Sequence, residues 1–176
     1  MISYKTASTQ EELEQILALQ KANLPNTLSS EVKKNEGFLT VHHNYDLLKR
    51  MNDSCPHIIA SDGTRVIGYA LTMHPKFRNE IEVLKSMFKE IENKRKSFTS
   101  FIIMGQVCVD KDYRKQGVFR KLYDKMQEET TKEFDCIVTE VDATNKRSLQ
   151  AHYANGFKTL SKYKSDGRDW ELIYLE

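Results

Sequence analysis

The chain has 176 residues, with 27 Lys and Arg against 25 Asp and Glu, 39% hydrophobic residues and a formal net charge of +2. A chain of this length buries roughly 70% of its unfolded surface, so it can build a core without disulfides or metals. The nearly balanced charge gives no bulk attraction to nucleic acid or a membrane surface. With no apolar run of about 18 residues and no signal-peptide pattern at Met1-Ile2-Ser3-Tyr4-Lys5, the expectation is a cytoplasmic protein. Three cysteines, Cys55, Cys108 and Cys136, cannot all pair within one chain and are read as reduced.

Ile2 to Thr6 predicts a short first strand. Thr9 and Glu12 form a capping-box pattern that opens a helix, with Leu13, Ile16 and Leu17 as its apolar face. From Asn23 to Phe38 the pattern is weak and broken by Pro25 and Gly37. Asn44 is positioned to cap a second helix carrying Leu47, Leu48 and Met51. His57–Ser61 and Thr64–Met73 read as strands, with Asp62-Gly63 as a two-residue hairpin signal.

Within Pro75–Ser100, Ile81, Leu84, Met87, Phe88 and Ile91 recur at helical spacing. This segment holds seven basic and four acidic residues, a net of +3. It is either a helix packed on the domain with a solvated outer face or a substrate-side lid. Phe101–Val109 predicts a long buried strand. The basic turn Arg114-Lys115-Gln116-Gly117-Val118-Phe119-Arg120-Lys121 follows. Phe119, Leu122, Tyr123 and Met126 then mark a helix. A strand leading through a basic glycine turn into a helix suits an anion such as a pyrophosphate, because helix-start amides lack acceptors. A plain solvated turn has the same composition. Cys136–Val141 reads as another strand, Asn145–Asn155 as a helix stopped by Gly156, and Phe157–Tyr163 with Arg168–Leu175 as a hairpin around Asp166-Gly167.

The order strand, basic glycine turn, helix, strand, then Asn145, Ser148 and Gly156-Phe157, resembles the GNAT superfamily of acetyl-CoA-dependent N-acetyltransferases. The resemblance is carried by Phe101–Phe157. The family's cofactor motif is Gln or Arg, two residues, Gly, one residue, then Gly or Ala. Arg114 and Gly117 fit, and Phe119 occupies the last, normally small, position. A phenylalanine there either crowds the pyrophosphate or, as the helical spacing suggests, turns toward the core and leaves its amide for phosphate contact.

The resemblance implies a single α/β domain over residues 1–176. Its mixed, mostly antiparallel central sheet would contain two splayed parallel strands, with helices on both faces. It implies acetyl-CoA as co-substrate between Phe101–Val109 and Cys136–Val141. The pantetheine would pair with Val107, Cys108 and Val109. The pyrophosphate would sit on the amides of Arg114, Lys115, Gln116, Gly117, Val118 and Phe119, and Asn145 and Ser148 would face the pantetheine arm. The last two are equally an ordinary helix N-terminus.

Acetyl transfer to an amine needs the neutral amine. An alkylammonium of pKa ~10.4 is neutral in about one part in 2,500 at pH 7, a deficit of about 4.6 kcal/mol that a base must offset. The first splayed strand has Ile103 where some family members carry a glutamate. Glu140, five residues before Asn145, stands where others place the base. The usual acid position, four before Gly156, holds His152, with Tyr153 next. An imidazolium can donate near neutrality, and a core histidine is the other reading.

The expected reaction is direct transfer from acetyl-CoA to a primary amine, on a small molecule or a peptide, in a ternary complex. A non-catalytic coenzyme A-binding module of the same fold is the alternative. The basic segment leans toward acidic acceptors. A homodimer would form through the terminal hairpin, at Trp170, Leu172 and Tyr174. Cys55, His57, His42 and His43 match no standard zinc spacing, so no metal is expected. Walker and three-glycine dinucleotide patterns are absent. The aromatics are not interleaved with basic residues, so no nucleic-acid partner is expected.

Overall fold

The computed structural model describes residues 1–23, 43–94 and 98–176. Most of the weakly patterned stretch from Asn23 to Phe38, together with His42, Arg95 and Lys96, lies outside these residues. Seven strands are described: β1 (Ile2–Thr6), β2 (Ile58–Asp62), β3 (Arg65–Met73), β4 (Phe101–Val109), β5 (Cys136–Asp142), β6 (Lys158–Ser165) and β7 (Arg168–Leu175). The described α-helices are α1 (Gln10–Ala22), α2 (Tyr45–Ser54), α3 (Lys85–Lys94), α4 (Val118–Thr130) and α5 (Lys146–Ala154). The strands form one sheet in the order β1-β2-β3-β4-β5-β7-β6. All described pairings are antiparallel except β4 with β5.

Local chemistry sets the helix starts. Thr9 Oγ1 accepts from the Glu12 amide at 3.2 Å, and the Glu12 carboxylate accepts from the Thr9 amide at 3.1 Å, completing the capping box. Asn44 Oδ1 accepts from the Leu47 amide at 2.8 Å. Caps of this kind stabilise a helix by about 1 kcal/mol. The β2–β3 hairpin differs by one residue from the sequence pattern. Asp62 pairs with Arg65, so the turn residues are Gly63 and Thr64, with Gly63 at φ 59°. A glycine in first place suits a II′ turn, whose twist matches that of the strands. The terminal hairpin turns on Asp166 and Gly167 as expected, both at positive φ.

Each face of the sheet is covered. On one face α4 and α5 bury Val118, Leu122, Tyr123, Met126 and Leu149 against Ile102, Met104, Ile137 and Ile173. On the other, α1 and α2 cover Ile59, Tyr69 and Leu71, while α3 packs over Phe101, Ile103, Val138 and Leu172. Ile81, Leu84, Met87, Phe88 and Ile91 are all buried, and α3 with its preceding 3₁₀ turn (Glu82–Leu84) packs on the domain. Two of its cations face its own carboxylates, Arg78 with Glu92 and Lys85 with Glu82, while Arg50 from α2 pairs with Glu80.

Burial takes Leu172 out of the expected dimer face and leaves Trp170 and Tyr174 half-buried. Leu172 is 0% exposed and belongs to the core, Trp170 donates to Ser165 O, and Tyr174 packs against Phe98. The outer edge strand β6 carries Lys158, Lys162 and Lys164, charges that discourage edge-to-edge pairing. No described helix is long and apolar enough to cross a membrane.

Candidate active site

The opening in the sheet comes from register. β4 and β5 pair only at Phe101–Cys136, Ile102–Ile137 and Ile103–Val138. Beyond these positions β4 stays with β3 as far as Val109–Gly68, and β5 stays with β7 as far as Asp142–Trp170. A bulge lies where the strands part: Leu71 faces Gln106 and Thr72 faces Met104, which leaves Gly105 without an opposite residue. An extra residue on one strand bends that strand and increases its twist. A glycine in a strand interior is a signal for a bulge, and the sequence reading had not singled out Gly105.

Beside the opening is a cavity of about 390 Å³. Its lining includes the predicted Val107, Cys108, Val109, Arg114, Lys115, Gly117, Val118, Phe119, Asn145 and Ser148. Gln116 is not in the lining; its side chain caps back onto Asp112 O at 3.0 Å. The lining also includes Asn23, Tyr113, Arg120, Arg147, Ala151 and Asn155, which the motif reading had not singled out. Asn145, Ser148, Ala151 and Asn155 fall at intervals of three, three and four, so helical spacing alone would have extended the Asn145–Ser148 stripe to Asn155.

The basic turn is built for close backbone approach. Lys115 and Gly117 both take left-handed backbone, at φ 60° and 79°. Gly117 is the N-cap of α4 and carries no side-chain cap, and the first intrahelical acceptor, Gly117 O, serves only Lys121. The amides of the first turn therefore face the cavity with the positive end of a 13-residue helix behind them. Nothing lies within 4 Å of where a Cβ on Gly117 would stand. Gly68 presses the helix onto the sheet: a Cβ there would meet Cys108 O at 3.2 Å and Val118 Cγ1 at 3.3 Å. Arg114 braces this corner, its Nε donating to Val109 O at 3.0 Å and its Nη2 to Asn23 Oδ1 at 2.9 Å. The Tyr113 hydroxyl donates to Asp62 at 3.0 Å.

A valine at Gly117 would take the left-handed strain of about 1–2 kcal/mol and crowd the amides. Gly117→Val is expected to weaken coenzyme binding at least tenfold in a calorimetric titration; unchanged affinity would remove the turn from the site.

Phe119 faces inward, as its spacing predicted. Its ring meets Tyr123 at 5.2 Å and His152 at 5.1 Å, edge to face, while one side still lines the cavity. Asn145 both caps α5, accepting from the Ser148 amide at 3.3 Å, and lines the cavity, so the two readings of that residue hold together.

The structure does not bring the predicted catalytic residues into this lining. His152 points into the core. Its Nδ1 donates to Ser148 O at 2.7 Å, and its Nε2 accepts from the Tyr123 hydroxyl at 2.7 Å. Burial pushes its pKa down to about 4. A neutral imidazole with both nitrogens engaged has no proton to deliver to the cavity. Tyr153 lies on the outside, 40% exposed, with its hydroxyl bonded to Glu171 and Thr159. Glu140 sits on the diverging half of β5, on the α1–α3 face by strand alternation with Cys136 and Val138. The Tyr163 hydroxyl donates to its carboxylate, and burial raises its pKa to about 7.

Cys108 lies on the same face as Glu140, and burial pushes its thiol up to about 12. Beside it runs a buried polar chain in which Tyr69 and Gln20 both donate to Gln106 Oε1, at 2.7 and 2.6 Å. His57, weighed with Cys55 as a metal ligand, is committed elsewhere: its Nδ1 accepts from the Thr72 amide and its Nε2 reaches Leu48 O, both at 3.1 Å.

A mixed sheet parted between two parallel strands, with an uncapped basic helix start beside the gap, defines an acyltransferase of the coenzyme A-binding class. The model of the acetyltransferase (GNAT) family matches residues 22–157, and the chain belongs to that family. It is accordingly an acetyl-CoA-dependent acyltransferase. Among solved structures, ribosomal-protein-alanine N-acetyltransferase from Brucella melitensis is similar at 21% identity, covering 98% of each chain with a TM-score of 0.64. Arabidopsis thaliana Naa50, solved with the bisubstrate analogue CoA-Ac-MVNAL, shares 14% identity over 99% of this chain and 98% of its own, with a TM-score of 0.67. The putative acetyltransferase yncA from Salmonella typhimurium, solved with acetyl-CoA, shares 13% identity over 99% and 93%, with a TM-score of 0.65. At these identities the likeness is one of fold. No curated protein matches the chain.

The residues present fit the coenzyme. The uncapped α4 start, the open space at Gly117 and the parted β4 edge offer donors for phosphate and for amide groups in one continuous cavity.

Proposed function

We propose that the protein transfers an acetyl group directly to a primary amine, on a small molecule or at a peptide N-terminus, in a ternary complex with Glu140 as the base. The observation that carries this reading is Glu140 itself. It is a mostly buried carboxyl on the diverging half of β5, with its pKa raised to about 7 by desolvation. A base is most effective when its pKa lies near the working pH.

Acetyl-CoA, when bound, supplies an acetyl group activated as a thioester. Val107, Cys108 and Val109 would hold the pantetheine through the β4 edge that β5 leaves unpaired, and the amides of Gly117, Val118 and Phe119 would hold the diphosphate. Backbone N–H groups on that edge are fixed donors for oxygen charge. Glu140 Oε would take the ammonium proton of the acceptor; the neutral amine would form the N–C bond as the C–S bond breaks, its second proton passing to the departing coenzyme thiolate, and the Tyr163 hydroxyl would keep the Glu140 carboxylate oriented. Cys108 supports direct transfer: a thiol held up near 12 has almost no thiolate at neutral pH and makes a poor covalent relay. His152 and Tyr153 would serve as supports of α5 and of the β6–β7 hairpin. The ribosomal-protein-alanine enzyme and the peptide analogue bound to Naa50 favour a peptide amine as the first acceptor to try.

The test is a calorimetric titration with acetyl-CoA, followed by turnover on alanine-starting peptides beside small acidic and basic amines. Binding with turnover on any amine supports the reading. Binding without turnover on any of them leaves the non-catalytic coenzyme-binding module in its place.

A further inference from the structure

Four buried side chains form one hydrogen-bonded chain, and a backbone amide fixes the direction of its bonds. The His43 N–H donates to Gln20 Oε1 at 2.9 Å, which leaves Gln20 Nε2 as the donor end of that side chain. Gln20 Nε2 donates to His43 Nδ1 at 2.9 Å and to Gln106 Oε1 at 2.6 Å. Gln106 Oε1 therefore accepts, and the Tyr69 hydroxyl, 2.7 Å away, is its second donor. A polar chain in a core costs stability unless its members satisfy one another. This one ends where the sheet opens. Gln106 is the first residue of β4 beyond the bulge at Gly105. By alternation with Cys108 it lies on the α1–α3 face, the face of Ile103 before the bulge. On β5, Glu140 is the next residue on that face after Val138, the last position paired with β4. Gln106 and Glu140 therefore head the two walls of the gap.

We propose that Gln106 is a specificity-determining residue for the acceptor, its Nε2 donating to a carbonyl oxygen on the carbon next to the one that bears the amine; this rests on the reading of Glu140 as the base for acetyl transfer. The acceptor class is then an α-amino carbonyl compound, a peptide N-terminus or an amino-acid amide, and not a plain alkylamine. The direction of the carboxamide carries the inference. Tyr69 stands opposite Cys108 on β3, which flanks β4 on the side away from β5. With Oε1 held toward β3 and α1, the planar carboxamide turns Nε2 the other way, toward β5. Nε2 has only N–H to give, whichever partner it holds in the ligand-free protein. The facing wall offers only acceptor oxygens once Glu140 is ionised. A substrate that suits both walls carries an amine for Glu140 and, close by, an oxygen for Gln106. An α-amino carbonyl holds those two atoms on adjacent carbons. A plain alkylamine would set hydrocarbon against the Gln106 N–H, and a site built to hydrogen-bond a group disfavours the analogue that lacks it. Val107, the next residue, belongs to the edge assigned to the pantetheine arm, so an acceptor held by Gln106 lies beside the thioester.

The experiment uses the full chain, acetyl-CoA and two acceptors of like shape, L-alaninamide and sec-butylamine, and reads kcat/KM for each. Comparing the ratio between proteins cancels the different basicities of the two amines. Gln106→Glu keeps an acceptor oxygen for Tyr69 and Gln20 and replaces the outward NH₂ with oxygen. Gln106→Met removes both ends of the amide. The alaninamide-to-butylamine ratio is expected to fall by about tenfold in each variant, with coenzyme A affinity unchanged by calorimetry. An unchanged ratio overturns the inference and leaves acetyl transfer through Glu140 standing. A ratio that falls in Gln106→Met alone assigns the effect to shape and not to the donor, and overturns it too. Loss of folding or of coenzyme A affinity in both variants makes Gln106 a structural member of β4 and also overturns it. A wild type that binds coenzyme A and acetylates neither amine overturns the acetyl-transfer reading and this inference with it.

Discussion

Glu140→Gln is expected to lower turnover by about 10²- to 10⁴-fold, the range contributed by a positioned general base, while leaving coenzyme affinity near that of wild type. The same substitution is expected to stabilise the protein at alkaline pH. The raised pKa means the folded state prefers the protonated carboxyl, so ionising it opposes folding. The ordinary value is 4.5 and the folded value about 7. Folding is therefore least hindered by this group below 4.5 and most hindered above 7. Full ionisation amounts to about 3 kcal/mol. Glutamine keeps the shape and cannot ionise. The stability difference between variant and wild type should thus grow by about 2 to 3 kcal/mol from pH 5 to pH 8, read by urea unfolding. Wild-type turnover should climb through pH 7 as Glu140 loses its proton. A variant with full activity, or a pH-independent stability difference, would sink the assignment.

Acidification is expected to weaken the fold through two buried histidines. Burial lowers His57 to about 3 and His152 to about 4, from 6.5. Both are neutral in the folded protein, and the unfolded chain takes up protons first. Their stabilisation is complete above 6.5 and is lost as pH falls toward 4 and 3. At pH 5 each has lost about 2 kcal/mol. Protonation of Glu140 over the same interval returns about 2 kcal/mol, so wild type should lose only about 2 kcal/mol from pH 7 to pH 5. In Glu140→Gln that offset is absent and the loss should be about 4 kcal/mol, a large share of an ordinary domain's 5–15 kcal/mol. Urea unfolding of both proteins at the two pH values checks this. Equal losses in wild type and variant would mean that Glu140 does not titrate in this range.

The two histidines show how far residue type carries a reading. His152 falls at the family's acid position and shares a helical face with Asn145 and Ser148, which made it a candidate donor. The sequence contains no statement that Tyr123, 29 positions earlier, would offer its hydroxyl to Nε2, or that Phe119 and Phe157 would close around the ring. Likewise Trp170, Leu172 and Tyr174 alternate as a half-exposed strand would. Only the packing of α3 across the sheet buries Leu172 and takes it out of that face.

What the sequence determined by itself was whatever depends on neighbours in the chain. Thr9–Glu12 and Asn44 chose helix starts, Asp166-Gly167 chose a hairpin, and Arg114 to Phe119 marked a basic turn into a helix, because caps, turns and helical faces are interactions over a few residues. The tertiary structure decided what depends on distant segments meeting. The bulge at Gly105 becomes an opening only when β5 leaves β4 after Val138. Glu140 acquires a pKa near 7 only when the assembled fold excludes water from it, against the opposing hydrogen bond from Tyr163. Gln106 becomes a buried carboxamide of fixed direction only when α1 and β3 bring Gln20 and Tyr69 to it. Desolvation is a property of the assembled surroundings, and it is desolvation that turns these ordinary polar side chains into candidates for function.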